Sequence, residues 1–253
     1  MTAKDAAVSL LRRLREKLAL RLMRRMHRLT LRVAVGLKPV HKARLLVVAP
    51  HMDDDVIGPG GTLLLHRQFG SPIAVVFCAA GSTPEIDATR KAESRTAAKA
   101  MGFEHLEWLD FPDGSLSLNE PQPAQRLARH LKDPGPEHIF CPFVSDHHRD
   151  HAAVAQGVAA AIRATGWPGE AWCYEVWSPL WPNVAVDISA VESRKREMIE
   201  IYASQTAGLH YADGILGLNR YRGLKVNVPC AEAFYVCGAE DFCQLADQMN
   251  LAW

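Results

Sequence analysis

The chain has 253 residues, 48% of them hydrophobic, with a formal net charge of +1. That length and composition support one full core with an appendage and exclude a low-complexity disordered chain. No run of residues reaches the roughly 18 apolar positions that a membrane-spanning helix needs.

The charge is unevenly spread. Thirteen of the 29 Lys and Arg fall between Met1 and Arg44, beside two of the 28 acids, Asp5 and Glu16. A basic arm, residues 1–43, therefore precedes a mildly acidic body, residues 44–253. Residues 5–35 read as one amphipathic helix. Leu11, Leu14, Leu18, Leu22, Met26, Leu29 and Val33 recur every three or four positions, and most arginines fall to one side of that stripe. Such a helix either lies on an anionic membrane surface or packs on protein, its own domain or a partner subunit in an oligomer. Nucleic acid is not an expected partner, because no aromatic residue is interleaved with the charges. The opening residues lack the apolar core of a signal peptide, since Arg and Lys interrupt every run. The six cysteines (Cys78, Cys141, Cys173, Cys230, Cys237 and Cys243) form no Cys-x-x-Cys pair. Reduced core cysteines and a cytoplasmic location, at most peripheral to the inner face of the membrane, are expected.

From residue 44 the pattern changes. Residues 45–50 are a continuous apolar run, the mark of a buried parallel strand. A polar, Gly-rich turn follows, then a helix over 61–69. Residues 73–80 are a second buried strand. Thr83-Pro84-Glu85 opens a helix with a capping hydroxyl, proline at the first helical position and an early acid. That helix runs to Met101, and Gly102 ends it. Strands over 106–109, 138–143 and 171–177 alternate with helices over 121–131, 150–164 and 189–203. Residues 208–229, rich in Gly, His and Tyr, read as loop. A late strand, 233–237, precedes a short terminal helix. The fold class is α/β and Rossmann-like: a mostly parallel sheet flanked by helices, with an N-terminal amphipathic helix.

Ligands of such sheets bind beyond the carboxyl ends of the strands. Two segments there are dense in metal-ligand types. Pro50-His51-Met52-Asp53-Asp54-Asp55 follows the first strand of the body, and Asp146-His147-His148-Arg149-Asp150-His151 follows the fourth. Imidazole plus carboxylate is the ligand set of a catalytic zinc, which keeps one position for water. His51 and Asp54, three apart, can be directed inward by one turn, and His151 or His148 supplies the third ligand. Asp53 is then free to act as a base. A second imidazole, protonated, can stabilise an oxyanion.

These same segments resemble the PIG-L/LmbE-like deacetylase family. Its opening motif, His-Pro-Asp-Asp-Glu followed by Gly-Gly-Thr-Leu, is matched by His51 to Asp55 and by Gly60-Gly61-Thr62-Leu63. Its second motif, His-x-Asp-His, is matched by His148-Arg149-Asp150-His151. Weaker matches are Arg90 and Glu93, Asp113-Gly114, Tyr202-Ala203-Ser204-Gln205 and Ala231-Glu232-Ala233-Phe234. The resemblance covers residues 44–238. It implies zinc-dependent removal of an N-acetyl group from an N-acetylglucosamine-type amino sugar. It implies Zn2+ held by His51, Asp54 and His151, with Asp53 as general base. It implies His148 as oxyanion stabiliser, oriented by Asp150. Met52 replaces the family's usual Pro, and Asp55 its usual Glu. Arg90, Tyr202, Gln205, His210, Tyr211 and Arg222 are further polar candidates for sugar or phosphate contact, with structural roles the expectation for each. Trp167, Trp172, Trp177 and Trp181 read as core or rim packing ahead of a sugar platform.

Rival readings are a zinc amidase for another acyl group and a metal-binding Rossmann-like protein without catalysis. Asp53, which is not needed as a ligand, counts against the second. The loop argues against a nucleotide-binding oxidoreductase: it lacks Gly-x-Gly-x-x-Gly, and three acids would repel a pyrophosphate.

Overall fold

A computed structural model describes Val8, Arg12, Leu14, Glu16, Lys17, Leu18 and Arg21, and residues 35–250 except 104, 115, 117–120, 133, 207 and 209. The chain divides into two units, residues 1–34 and 35–253. In the first, the seven described residues are helical and exposed. Of the helix expected over 5–35, Val35 is not helical, and the rest lies outside the described residues. The body starts earlier than the charge pattern suggests. Strand β1 (Gly36–Leu37) joins the sheet, and Ala43 is buried in the core.

The body alternates strands and helices as the apolar runs require. In chain order these are β2 (Leu45–Ala49), α1 (Asp54–Ile57), α2 (Gly60–Gln68), β3 (Ile73–Ala79), α3 (Pro84–Met101), β4 (His105–Phe111) and α4 (Pro121–Ala128). Then come β5 (His138–Pro142), α5 (Arg149–Thr165), β6 (Glu170–Tyr174), β7 (Val184–Asp187), α6 (Glu192–Ile201), α7 (Ala203–Thr206), α8 (Tyr211–Val226), β8 (Ala231–Gly238) and α9 (Ala239–Asn250). They build one eight-stranded sheet in the order β1-β7-β8-β6-β5-β2-β3-β4. The β6-β5-β2-β3-β4 portion is parallel, and β8 runs antiparallel to both its neighbours. The expected mostly parallel, helix-flanked sheet is therefore present.

Strand β2 shows why the run is apolar throughout. Leu45, Val47 and Ala49 face one core cluster, and Leu46 and Val48 face the other. Burying each Leu or Val contributes about 1.5–3 kcal/mol. From β2 the chain moves to β3 and β4 on one side, then returns to β5 on the other. The carboxyl ends of β2 and β5 thus flank the switch point of the sheet, where α/β proteins form their crevice.

Local signals hold at the helix ends. Thr83 Oγ1 accepts the Ile86 amide at 3.3 Å, and Gly102 closes α3 with φ 77°. One segment departs from expectation. Residues 208–229, read as loop, contain the 16-residue helix α8.

Candidate active site

The two ligand-rich segments meet at the switch point. His51 lies two residues beyond β2, and its backbone amide donates to Asp54 Oδ2 at 2.9 Å. That bond folds the turn so that the Asp54 carboxylate faces back toward the His51 ring, 3.3 Å from Nδ1. From the other side of the crevice, His151 Nε2 reaches the same Asp54 oxygen, also at 3.3 Å. Asp54 and His151 are 2% and 0% exposed, so this meeting point is dry.

His148 completes a triangle of imidazoles. Its ring centroid is 4.9 Å from those of His51 and His151. Ring nitrogens of all three lie within 4.8 Å of one another. His148 caps α5: its Nδ1 accepts the Asp150 amide at 3.3 Å. In the neutral ring the proton then sits on Nε2, which remains a donor. Burial and the neighbouring His151 and His51 lower the His148 pKa and favour that neutral form over the protonated imidazole expected.

Asp150 contacts His148 only through that backbone amide among its described bonds. Its carboxylate goes elsewhere: Oδ2 is 3.2 Å from His51 Nε2 and accepts the Gly114 amide at 2.8 Å, while Oδ1 accepts the Leu116 amide at 3.2 Å. The side chain therefore orients His51 and pins the loop after β4. Asp113 in that loop adds a second carboxylate 3.4 Å from His51 Nε2, and Arg90 stands 3.6 Å from Asp113. His151 has its own outer partner: Nδ1 is 3.4 Å from Asp146, which also accepts amides from His148 and Trp177.

Electrostatics follow from packing acids and imidazoles together out of water. Burial lowers the His51 pKa, but Asp113, Asp150 and Asp54 outweigh it and push the ring up to about 12. For His151, burial is likewise outweighed by Asp54 and Asp146, and the ring rises to about 9. The same imidazoles hold Asp54 far below the usual carboxylate range despite its burial. Asp53 behaves oppositely. Burial and the adjacent Asp54 charge push it up to about 8, only partly offset by His51.

A divalent ion fits this donor set on one observation. Neither ring nitrogen of buried His151 makes a hydrogen bond, although carboxylates lie at 3.3 and 3.4 Å. His151 Nε2 and Asp54 Oδ2, close but not hydrogen-bonded, can face one cation, while Nδ1 on the other side of the ring faces Asp146 as an outer partner. His51, Asp54 and His151 could hold such an ion, with His148 near it. A second group that could do so is His51, Asp113 and Asp150.

The support around the site uses residues whose pattern carried little warning. Buried Glu232 accepts the Gly61 and Thr62 amides, each at 2.7 Å, and so caps α2 from across the sheet. Gly61 is required there: a Cβ would stand 3.0 Å from Glu232 Oε1 and 2.9 Å from Ile188. Lys195 donates to Glu232 at 2.6 Å and to the Ile57 and Gly58 carbonyls. Of the further candidates, Tyr202 donates to Asp55 Oδ1 at 3.0 Å, and Gln205 donates to the Met52 carbonyl. Arg222 pairs with Glu175 in the interior, and His210 lies exposed 3.7 Å from Asp213. Tyr202, Gln205 and Arg222 thus serve the framework, as expected. Trp167 and Trp172 are core residues, whereas Trp177 and Trp181 are about half exposed.

A doubly flanked parallel sheet with a His/Asp cluster at its switch point defines an α/β protein with a candidate metal centre. The family model described as PIG-L, GlcNAc-PI de-N-acetylase, matches residues 46–162. An Escherichia coli protein named as the uncharacterized deacetylase YaiS is 30% identical over 127 residues, covering 47% of this chain and 68% of its own. A probable N-acetyl-alpha-D-glucosaminyl L-malate deacetylase 2 of Bacillus cereus is 29% identical over 136 residues, covering 47% of this chain. The match spans 60% of that relative's length. The N,N'-diacetylchitobiose deacetylase of Pyrococcus horikoshii shares the fold, with a TM-score of 0.70 at 21% identity over 78% of this chain and 85% of its own. The chain belongs to the PIG-L/LmbE-like deacetylase family.

The six cysteines are free, five of them buried and Cys237 half-buried. Among the described residues no helix is long and apolar enough to cross a membrane.

Proposed function

We propose that this chain hydrolyses the acetamide of an N-acetylglucosamine-type amino sugar, releasing acetate and the free amine. The observation that carries the reading is the Asp54 oxygen standing 3.3 Å from a ring nitrogen of both His51 and His151, in a dry crevice at the sheet's switch point. The family and the substrates in its relatives' names support the same substrate class.

In this reading the resident ion is Zn2+, held by His51, Asp54 and His151. Two imidazoles and one carboxylate form the usual set for a catalytic zinc. Bound there, zinc would supply Lewis acidity and bring a water's pKa toward neutrality. Asp53 is the general base. It sits beside the ligand turn, where burial and the adjacent Asp54 charge raise its affinity for a proton. It takes a proton from the attacking water and later gives it to the sugar nitrogen as the C–N bond breaks. His148, with Nδ1 occupied by the Asp150 amide, points its donor nitrogen at the developing oxyanion. Asp150 serves as a positioning residue, through its carboxylate on His51 and its amide on His148.

The reading is tested by acetate release from free, nucleotide-linked and lipid-linked N-acetylglucosaminyl compounds, with and without a chelator. Chelator-sensitive release from any of them supports it. No release by protein holding one equivalent of zinc would refute it, and release of a longer acid from N-acyl analogues would favour a different amidase.

A further inference from the structure

The loop after β6 carries two large aromatic side chains that the core does not use. Trp177 is 48% exposed and Trp181 51% exposed. Because β6 runs parallel to β5 and β2, this loop rises on the same edge of the sheet as the candidate active site. Trp177 is tied to that site by its backbone. Its amide donates to Asp146 Oδ2 at 3.2 Å, and the same oxygen is 3.4 Å from His151. The next residue, Ser178, contacts His147 at 2.8 Å through its hydroxyl.

The ring of Trp177 is braced from the side. It meets Tyr211 edge-on, with centroids 6.2 Å apart and planes at 82°. Tyr211 opens α8 and is half-buried. Burial, with the Asp53 and Asp54 carboxylates, raises its hydroxyl pKa. Eleven residues on, Arg222 lies on nearly the same face of α8, about three turns away. There it donates to Glu175 at 2.8 Å and to the Leu180 carbonyl at 2.9 Å, and Glu175 accepts the Leu180 amide. One buried ion pair thus clamps α8 to both ends of the 175–180 loop, the two segments that carry Tyr211 and Trp177. A rigid aromatic face beside polar catalytic groups is the usual make-up of a small-molecule site.

We propose that Trp177, braced by Tyr211, is a stacking subsite for the apolar face of a pyranose ring of the substrate. The inference rests on the deacetylase reading and extends it. It makes Trp177 the residue that selects a closed sugar ring over an open-chain acetamide.

The test compares wild type with Trp177→Ala and Trp177→Phe in the full chain, in two arms. The first measures kcat/KM for methyl N-acetylglucosaminide and for open-chain N-acetylglucosaminitol, which keeps the acetamide and hydroxyls but has no ring. The ratio of the two should fall about fivefold in Trp177→Ala, through KM on the ring substrate, and recover in Trp177→Phe. The second arm measures binding of methyl glucosaminide, which has no acetyl group, by saturation-transfer NMR. Wild type and Trp177→Phe should bind, and Trp177→Ala should lose most of the signal. An unchanged ratio with unchanged binding overturns the subsite while leaving the deacetylase reading intact. Trp177-dependent binding without acetate release from any compound overturns the deacetylase reading and keeps the subsite.

Discussion

Asp54 Oδ2 stands 3.3 Å from His151 Nε2, and the two do not hydrogen-bond. Leaving a buried polar group unbonded costs about 1–3 kcal/mol. A cation held by Nε2 would satisfy the ring, and Asp54 Oδ2, which already accepts the His51 amide, could share it. His151→Ala is therefore expected to abolish retained metal, measured by elemental analysis after dialysis, while circular dichroism stays native. Full metal content in that variant would move the ion to the group formed by His51, Asp113 and Asp150.

The Lys195–Glu232 pair ties down the segment from Ile57 to Thr62, directly after the turn that carries His51 and Asp54. Both residues are almost fully buried, and Glu232 accepts from Gly61, Thr62 and Lys195. Glu232→Gln leaves the Lys195 ammonium buried without its counter-charge, at a cost of about 3–5 kcal/mol. Urea denaturation should show an unfolding free energy lowered by that order, partly recovered when Lys195→Met is added. A loss under about 1 kcal/mol would mean that the pair does not hold that segment.

His66 makes stability depend on pH. It is buried in α2, with Nδ1 3.4 Å from Ser71 Oγ and Nε2 unbonded. Burial, aided by His138 and opposed by the His41 backbone, lowers its pKa from 6.5 to about 4. The unfolded chain then binds the extra proton first, so folding stability is lost as pH falls from 6.5 toward 4. This group contributes at most about 3 kcal/mol over that window. His66→Gln should flatten that part of the stability curve, and an unchanged slope would contradict the assignment.

The basic arm has two expected partners, protein or an anionic membrane surface, and vesicle binding separates them. Val8, Leu14 and Leu18 are exposed on a helical segment that also bears Arg12, Lys17 and Arg21. With the membrane as partner, full-length protein should sediment with phosphatidylglycerol vesicles at low salt but not with phosphatidylcholine. Replacing Leu14 and Leu18 with Asp should reduce that binding at least tenfold. Equal sedimentation of the variant, or a change in oligomeric state instead, would assign the arm to protein packing.

The sequence carried most of what local chemistry decides. The apolar run at β2 is buried on both faces, and Thr83-Pro84 starts α3 at the expected place. His51, Asp54, His148 and His151 could be chosen as a cluster because strand ends in a parallel sheet converge. Three features escaped for physical reasons. Helix α8 is interrupted by Gly214, Gly217 and Gly223, and its buried face includes Asn219 and Arg222, whose partners Lys195 and Glu175 are remote in the chain. A search for apolar periodicity cannot see such a face. Gly223 lies so close to the Val228 carbonyl that a side chain would collide, so its reason is tertiary. Strands β1 and β7, of two and four residues, are too short to show a period. The Asp150 carboxylate was expected to serve His148, and it lies on His51 because the loop after β4 supplies the two amides that aim it.

The measurement that most directly tests the central claim is paired zinc content and acetate release in Asp53→Asn. The side chain keeps its size and loses only its basicity. The account predicts one equivalent of zinc, as in wild type, with acetate release from an N-acetylglucosaminyl substrate lowered about 10²–10⁴-fold. Wild-type acetate release from zinc-loaded Asp53→Asn would contradict it and remove the base from the proposed chemistry.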